Sequence, residues 1–114
     1  MRKNKIGCDV VYIPRIKKIM SDENIIRKVF NHIELERFEP EHLAGIFAAK
    51  EAVLKTLGIS PIPAMQNVTI LYEQSGRPYV KLSEDISPQN FYTLDVSISH
   101  DTDYAFAVAI LFQE

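Results

Sequence analysis

The stretch 43–57 constrains this chain more than any other. At about 100° per residue, Leu43, Ile46, Phe47, Val53, Leu54 and Leu57 form one apolar stripe, and Gly58 stands where such a helix would stop. The spacing predicts one long helix with a face that must be buried against another layer. Two features break the plain amphipathic pattern. Lys50 falls near the middle of the stripe, and Glu51 and Lys55 lie one turn apart on its flank, beside the small Ala44 and Ala48.

The other elements are shorter. Residues 6–11 are apolar except for Asp9 and read as a strand. Pro14 suits the first turn of a helix over 14–20, and Ser21-Asp22 can cap a second one reaching Phe30. A short helix is expected over 34–38, broken near Pro40, and Ser60-Pro61-Ile62-Pro63 reads as a loop. Strands are expected at Val68–Tyr72, 79–82, 91–99 and 104–112. Gln74-Ser75-Gly76 and His100-Asp101-Thr102-Asp103 supply the turns. Helices followed by hairpin-linked strands predict an α+β fold, a single domain over 1–114 with the long helix packed on a mainly antiparallel sheet. A chain of 114 residues is too short for a deep cleft of its own, and a site shared between subunits would meet that limit.

Charge is unevenly placed. Residues 1–28 carry eight Lys/Arg against three acids, whereas the whole chain has a net charge of −2. This bias is either a solvated face or a docking surface for an acidic partner. Nucleic acid fits less well, because the basic stretch has no interleaved exposed aromatics. The single cysteine, Cys8, allows no intrachain disulfide, which agrees with a cytoplasmic setting, and it is expected in the core. Its Ile6-Gly7-Cys8 context lacks the preceding apolar stretch of an export signal, so neither a signal peptide nor a membrane span is expected.

Three groups of residues carry possible chemistry, each with a plainer alternative. Glu51 and Lys55 make either a surface ion pair or half of a phosphate site. Lys50 either extends its ammonium to the rim of the core or directs it into an anion site. Asp9 either caps strand-end amides or joins Glu51 as a hard oxygen ligand for Mg2+ bound together with substrate phosphates. In Asp95-Val96-Ser97-Ile98-Ser99-His100, alternation puts Asp95, Ser97 and Ser99 on one strand face. That face meets either solvent or a polyanionic ligand. Asp101 and Asp103 read as turn formers, and His32 and His42 have no metal-type spacing.

Taken in order, Ile6-Gly7-Cys8-Asp9, Ile13-Pro14-Arg15-Ile16, Phe47-Ala48-Ala49-Lys50-Glu51-Ala52-Val53-Leu54-Lys55, Gly76-Arg77-Pro78 and Val96-Ser97-Ile98-Ser99-His100 resemble the holo-acyl-carrier-protein synthase family of 4′-phosphopantetheinyl transferases. The likeness covers nearly the whole chain. It implies the transferase fold and a homotrimer with coenzyme A in clefts between subunits. It implies Mg2+-dependent transfer of 4′-phosphopantetheine from coenzyme A to a serine of apo-acyl carrier protein, releasing 3′,5′-ADP, for fatty acid biosynthesis in the cytoplasm. It makes Asp9 and Glu51 the metal ligands, and Glu51 and Lys55 the catalytic pair. Lys50 and Lys55 fall near the phosphates, and Gly76, Arg77, Pro78, Ser97, Ser99 and His100 line the nucleotide part of the cleft. Arg15, with Lys18 beside it, meets the acidic helix of the carrier.

The chain departs from that family at two places. Ile46 stands where an arginine often precedes the helix aromatic, and the segment after Gly58 is short and proline-rich. These departures bear on two other readings: a degenerate module that binds a carrier or nucleotide without transfer, and a transferase for polyketide or peptide-synthetase carriers.

Overall fold

A computed structural model describes residues 3–114. Strand β1 (Lys3–Tyr12) leads into helices α1 (Ile13–Ile19) and α2 (Glu23–Val29), a 3-10 turn (Glu34–Glu36) and the long helix α3 (Pro40–Leu57). A short helix α4 (Pro61–Ala64), the hairpin β2 (Val68–Tyr72) and β3 (Pro78–Leu82), and the hairpin β4 (Tyr92–Asp101) and β5 (Tyr104–Gln113) complete the chain. Every strand pairing is antiparallel, in a three-stranded sheet ordered β1-β5-β4 and a separate β2-β3 ribbon. The α+β architecture is the one expected from the sequence.

Helix α3 is the centre of the molecule. It packs on the large sheet on one side and on α1 and β2 on another, so most of its residues are buried. A helix enclosed in this way is apolar well beyond a single stripe, which explains why Ala44, Ala48, Ala49 and Ala52 are fully buried beside Leu43, Val53 and Leu54. Gly58 closes α3 in the left-handed conformation, at φ 68°. Asp22 caps α2 by accepting from the backbone N–H groups of Asn24 and Ile25.

Three local expectations are corrected. Pro40 starts α3 rather than breaking a helix before it, because proline at the first helical position gives up an N–H that has no partner there. The same property lets Pro61 open α4 where a loop was expected. The last hairpin turn is only Thr102-Asp103. His100 and Asp101 are still strand, Thr102 takes the positive φ (52°), and the carbonyl of Asp103 accepts from the N–H of Ile13 at 2.7 Å.

The two faces of the large sheet differ sharply. Gly7 and Val11 of β1 and Ala105, Ala107, Ala109 and Leu111 of β5 point inward and are buried under α3. The alternate residues point outward: Ile6 is 71% exposed, Val10 61%, Tyr104 51% and Phe106 45%. Cys8 belongs to this outer set and is exposed, not a core residue. Among the described residues, no helix is long and apolar enough to cross a membrane.

Candidate active site

The site begins at a close crossing of β1 over α3. A Cβ placed on Gly7 would lie 2.2 Å from the backbone oxygen of Ala52 and 3.0 Å from Cβ of Lys55. Only glycine admits that approach. The crossing brings Asp9, two residues along and on the same strand face, to the flank of the helix carrying Glu51 and Lys55. Gly7 is thus a residue whose role the sequence reading did not assign, although a glycine inside a strand is itself a signal of close backbone contact. Gly7→Ala is expected to cost about 1–3 kcal/mol, the usual scale for forced overpacking. A thermal unfolding midpoint unchanged from the wild type would contradict this.

Around that crossing three charged groups meet. Lys55 Nζ donates to the carbonyl of Cys8 at 2.8 Å and lies 3.6 Å from Oδ1 of Asp9. The Asp9 side chain is only 13% exposed, and its buried Oδ2 has no hydrogen-bond partner among the described residues. Glu51 is pushed up to about 7, first by desolvation, then by the charge of Asp9 and a hydrogen-bonding contact with it; Lys55 and Arg15 pull the other way. Two carboxyls thus share a half-buried place in which burial and their mutual charge outweigh the pull of Lys55 and Arg15 on Glu51. Two converging carboxylates, one with a spare buried oxygen, are a donor set suited to a hard divalent cation that keeps other ligands from substrate or water. The Arg15 side chain, exposed on α1, also bears on this place through its charge.

Lys50 does not join them, which corrects its expected place at the phosphates. It is fully buried, and its ammonium donates to the carbonyl of Val29 at 2.6 Å and to Oε1 of Glu34 at 2.7 Å. Nor does it reach the rim of the core. Burial pulls its pKa below the usual lysine range, and Glu34 opposes that pull.

The nucleotide-lining candidates are dispersed within one chain. Register places His100 and Val11 on either side of Ala105, and His100 turns toward the helix, where its Nε2 would lie 3.5 Å from a Cβ on Gly45. Ser97 and Ser99 are exposed on the outer sheet face, the side away from α3 and hence away from Asp9. Gly76, Arg77 and Pro78 belong to the β2–β3 hairpin, with Gly76 at φ 94°. The structure therefore brings together Asp9, Glu51, Lys55 and Arg15, and leaves Ser97 and Ser99 on the opposite side of the same sheet. Lys18 is exposed on α1.

Known proteins resemble this chain in sequence and in fold. Residues 5–109 match the family model described as the 4′-phosphopantetheinyl transferase superfamily. A holo-[acyl-carrier-protein] synthase of Fusobacterium nucleatum is 36% identical over 117 residues, covering 93% of this chain and 96% of its own. The solved ACPS–CoA complex of Chronobacterium ammoniagenes superposes with a TM-score of 0.86 at 28% identity, covering 98% of each chain. The holo-[acyl-carrier-protein] synthase of Helicobacter pylori, crystallised with coenzyme A, gives 0.79 at 28% identity, covering 91% of this chain and 96% of that one.

Proposed function

The chain belongs to the 4′-phosphopantetheinyl transferase superfamily, and from that premise we propose that it is a single-domain, Mg2+-dependent holo-acyl-carrier-protein synthase. It would move 4′-phosphopantetheine from coenzyme A to a serine of apo-acyl carrier protein in the cytoplasm, for fatty acid biosynthesis. The observation that carries the reading is the β1–α3 crossing at Gly7, which sets the largely buried Asp9 carboxyl, its Oδ2 unpartnered among the described residues, 3.6 Å from Lys55 and beside Glu51.

Asp9 and Glu51 would hold Mg2+, which when bound supplies charge neutralisation to the pyrophosphate of coenzyme A. The chain's own groups do the rest. The serine oxygen of the carrier forms a bond to the phosphorus that bears the pantetheine arm, and the bond from that phosphorus to the 3′,5′-ADP oxygen breaks. Glu51, directly or through a water, takes the serine proton, the role its place beside Asp9 and Lys55 suits. The Lys55 ammonium, already anchored by the Cys8 carbonyl, faces the departing phosphate and offsets its growing charge. Positioning and electrostatics provide most of the acceleration in such a transfer.

The opposite placement of Asp9 and Ser97/Ser99 supports a site shared between copies. One chain would supply the carboxyl pair and another the outer face of β4, in a trimer joined through the exposed apolar residues of the large sheet. Nucleotide contacts then fall to Lys55, Gly76, Arg77, Pro78, Ser97, Ser99 and His100.

The decisive assay incubates the chain with apo-acyl carrier protein, coenzyme A and Mg2+ and reads the phosphopantetheine adduct by mass spectrometry, with a chelator control. Coenzyme A binding without any adduct on several apo-carriers would replace this reading with that of a binding module. Arg15 and Lys18 would meet the acidic face of the carrier. Arg15→Glu is expected to raise the carrier KM about tenfold at low salt, with the effect shrinking as salt is added, while coenzyme A binding is retained. An unchanged carrier KM at low salt would remove Arg15 from the interface.

A further inference from the structure

Helix α3 meets the large sheet through small residues. Gly45, Ala48 and Ala52 lie on its sheet side, over Gly7, Ala107 and Ala109. This surface is closely packed but carries almost no hydrogen-bonding groups, so directional contacts elsewhere on the helix add to what packing specifies about its roll. Roll matters here. A rotation of about 15° moves a group ~6 Å from the axis by ~1.6 Å, more than a reacting constellation tolerates.

Apart from the half-exposed Lys55, which donates to the Cys8 carbonyl of β1, the directional side-chain contacts of α3 lie on the other side of the helix. Lys50 makes the buried side-chain hydrogen bonds that tie α3 to other elements among the described residues. Its partner Glu34 is itself held from three directions. Oε1 accepts from the N–H of Asn31 at 2.7 Å as well as from Lys50, and Oε2 accepts from the N–H of Ile70 at 2.8 Å. Asn31 in turn donates through Nδ2 to the carbonyl of Val68 at 3.0 Å. One carboxylate thereby joins the end of α2, the 3-10 turn, β2 and α3. The Phe30 ring lies beside the ammonium, 5.7 Å from its centroid.

A fully buried ion pair is weak evidence for stability, because desolvation cancels much of its attraction and apolar substitutes of similar volume often do as well. What apolar substitutes do not provide is direction. We infer that the Lys50–Glu34 pair is a positioning device that fixes the roll of α3 and so holds Glu51, the next residue along, opposite Asp9. Both residues act through Glu51 and touch no substrate. The inference rests on the metal-dependent transferase reading above.

The test is the double variant Glu34→Gln/Lys50→Met, which removes both charges; the Gln oxygen can accept from only one of the two backbone donors, Asn31 and Ile70. The expected result is a chain that still unfolds cooperatively, with a midpoint lowered by the buried N–H and the Val29 carbonyl that lose partners, Mg2+ affinity by calorimetry weakened about tenfold or more, and kcat reduced by at least about tenfold. The coenzyme A KM should stay within about twofold, a split that simple loss of structure would not produce. A folded double variant that matches wild-type Mg2+ affinity and kcat within about twofold overturns the inference. If the double variant does not fold, Lys50→Met alone, in which Glu34 keeps the N–H donors of Asn31 and Ile70, is expected to weaken Mg2+ binding at least about threefold, and an unchanged affinity there overturns it equally. A wild type that neither binds Mg2+ nor modifies a carrier would instead defeat the functional reading itself.

Discussion

Glu51→Gln is expected to fold like the wild type and to transfer phosphopantetheine at least about 100-fold more slowly, and Asp9→Ala to do the same. Losses of that size are typical when a general base or a metal ligand is removed. Folding should survive because burial and the charge of Asp9 disfavour an ionised Glu51, and the 3.6 Å contact of Asp9 with the half-exposed Lys55 contributes little. The sign follows from the proton balance. Glu51 ordinarily ionises near 4.5 and is raised to about 7 in the folded chain. Between those values the folded state binds more protons than the unfolded one, so this group makes metal-free stability fall as pH rises through the window and adds no slope above it. Glu51→Gln should lack that slope. Thermal unfolding of both proteins at pH 5 and pH 8 without metal reads the difference directly. Adding Mg2+ should stabilise the wild type more at pH 8 than at pH 6, since a cation competes with the shared proton. Turnover within a few-fold of normal in either variant would remove the pair from the mechanism.

Such a site was partly legible in the sequence. Asp9 stood out as an acid in an apolar strand, and Glu51 and Lys55 as a charged pair on a helix flank; both anomalies depend on local periodicity, which the sequence displays. What brings them together is not local. The first strand pairs with the last, and their contact with α3 passes through Gly7, whose meaning appears only when Ala52 is seen against it. Lys50 shows the same limit. Its odd position in the apolar stripe was evident, but its partner lies 16 residues upstream in a segment without periodicity, so nothing in the sequence said which way the ammonium would turn. Alternation also gave the correct face pattern for Asp95, Ser97 and Ser99, yet it could not say that this face is opposite to that of Asp9. That depends on the order β1-β5-β4 and the side on which the helix lies. Proline marks a helix start, not a break, where its missing N–H is harmless, as at the first turn of α3 and of α4.

That opposition of faces gives the second large effect. If the carboxyl pair of one copy works with the outer face of β4 from another, breaking the assembly should abolish transfer while leaving each chain folded. Val10 and Phe106 suit the test, being 61% and 45% exposed and paired across β1 and β5. In a lone chain their replacement by aspartate leaves both side chains in solvent and costs about 1 kcal/mol or less for like charges facing across the strands, whereas in an assembly it buries those charges, which costs several kcal/mol per contact. Val10→Asp/Phe106→Asp is therefore expected to give a species near the single-chain mass of 13.0 kDa by light scattering, where the wild type gives about three times that. Circular dichroism should be unchanged, and transfer should fall at least about 100-fold, because the nucleotide end of the cleft is lost together with the partner. Mixing the double variant with an Asp9→Ala chain should restore nothing, since the former has no surface with which to join. A wild type that runs as a monomer and still modifies its carrier, or a monomeric variant with full activity, would mean that one chain carries the whole site and that Ser97 and Ser99 lie outside it.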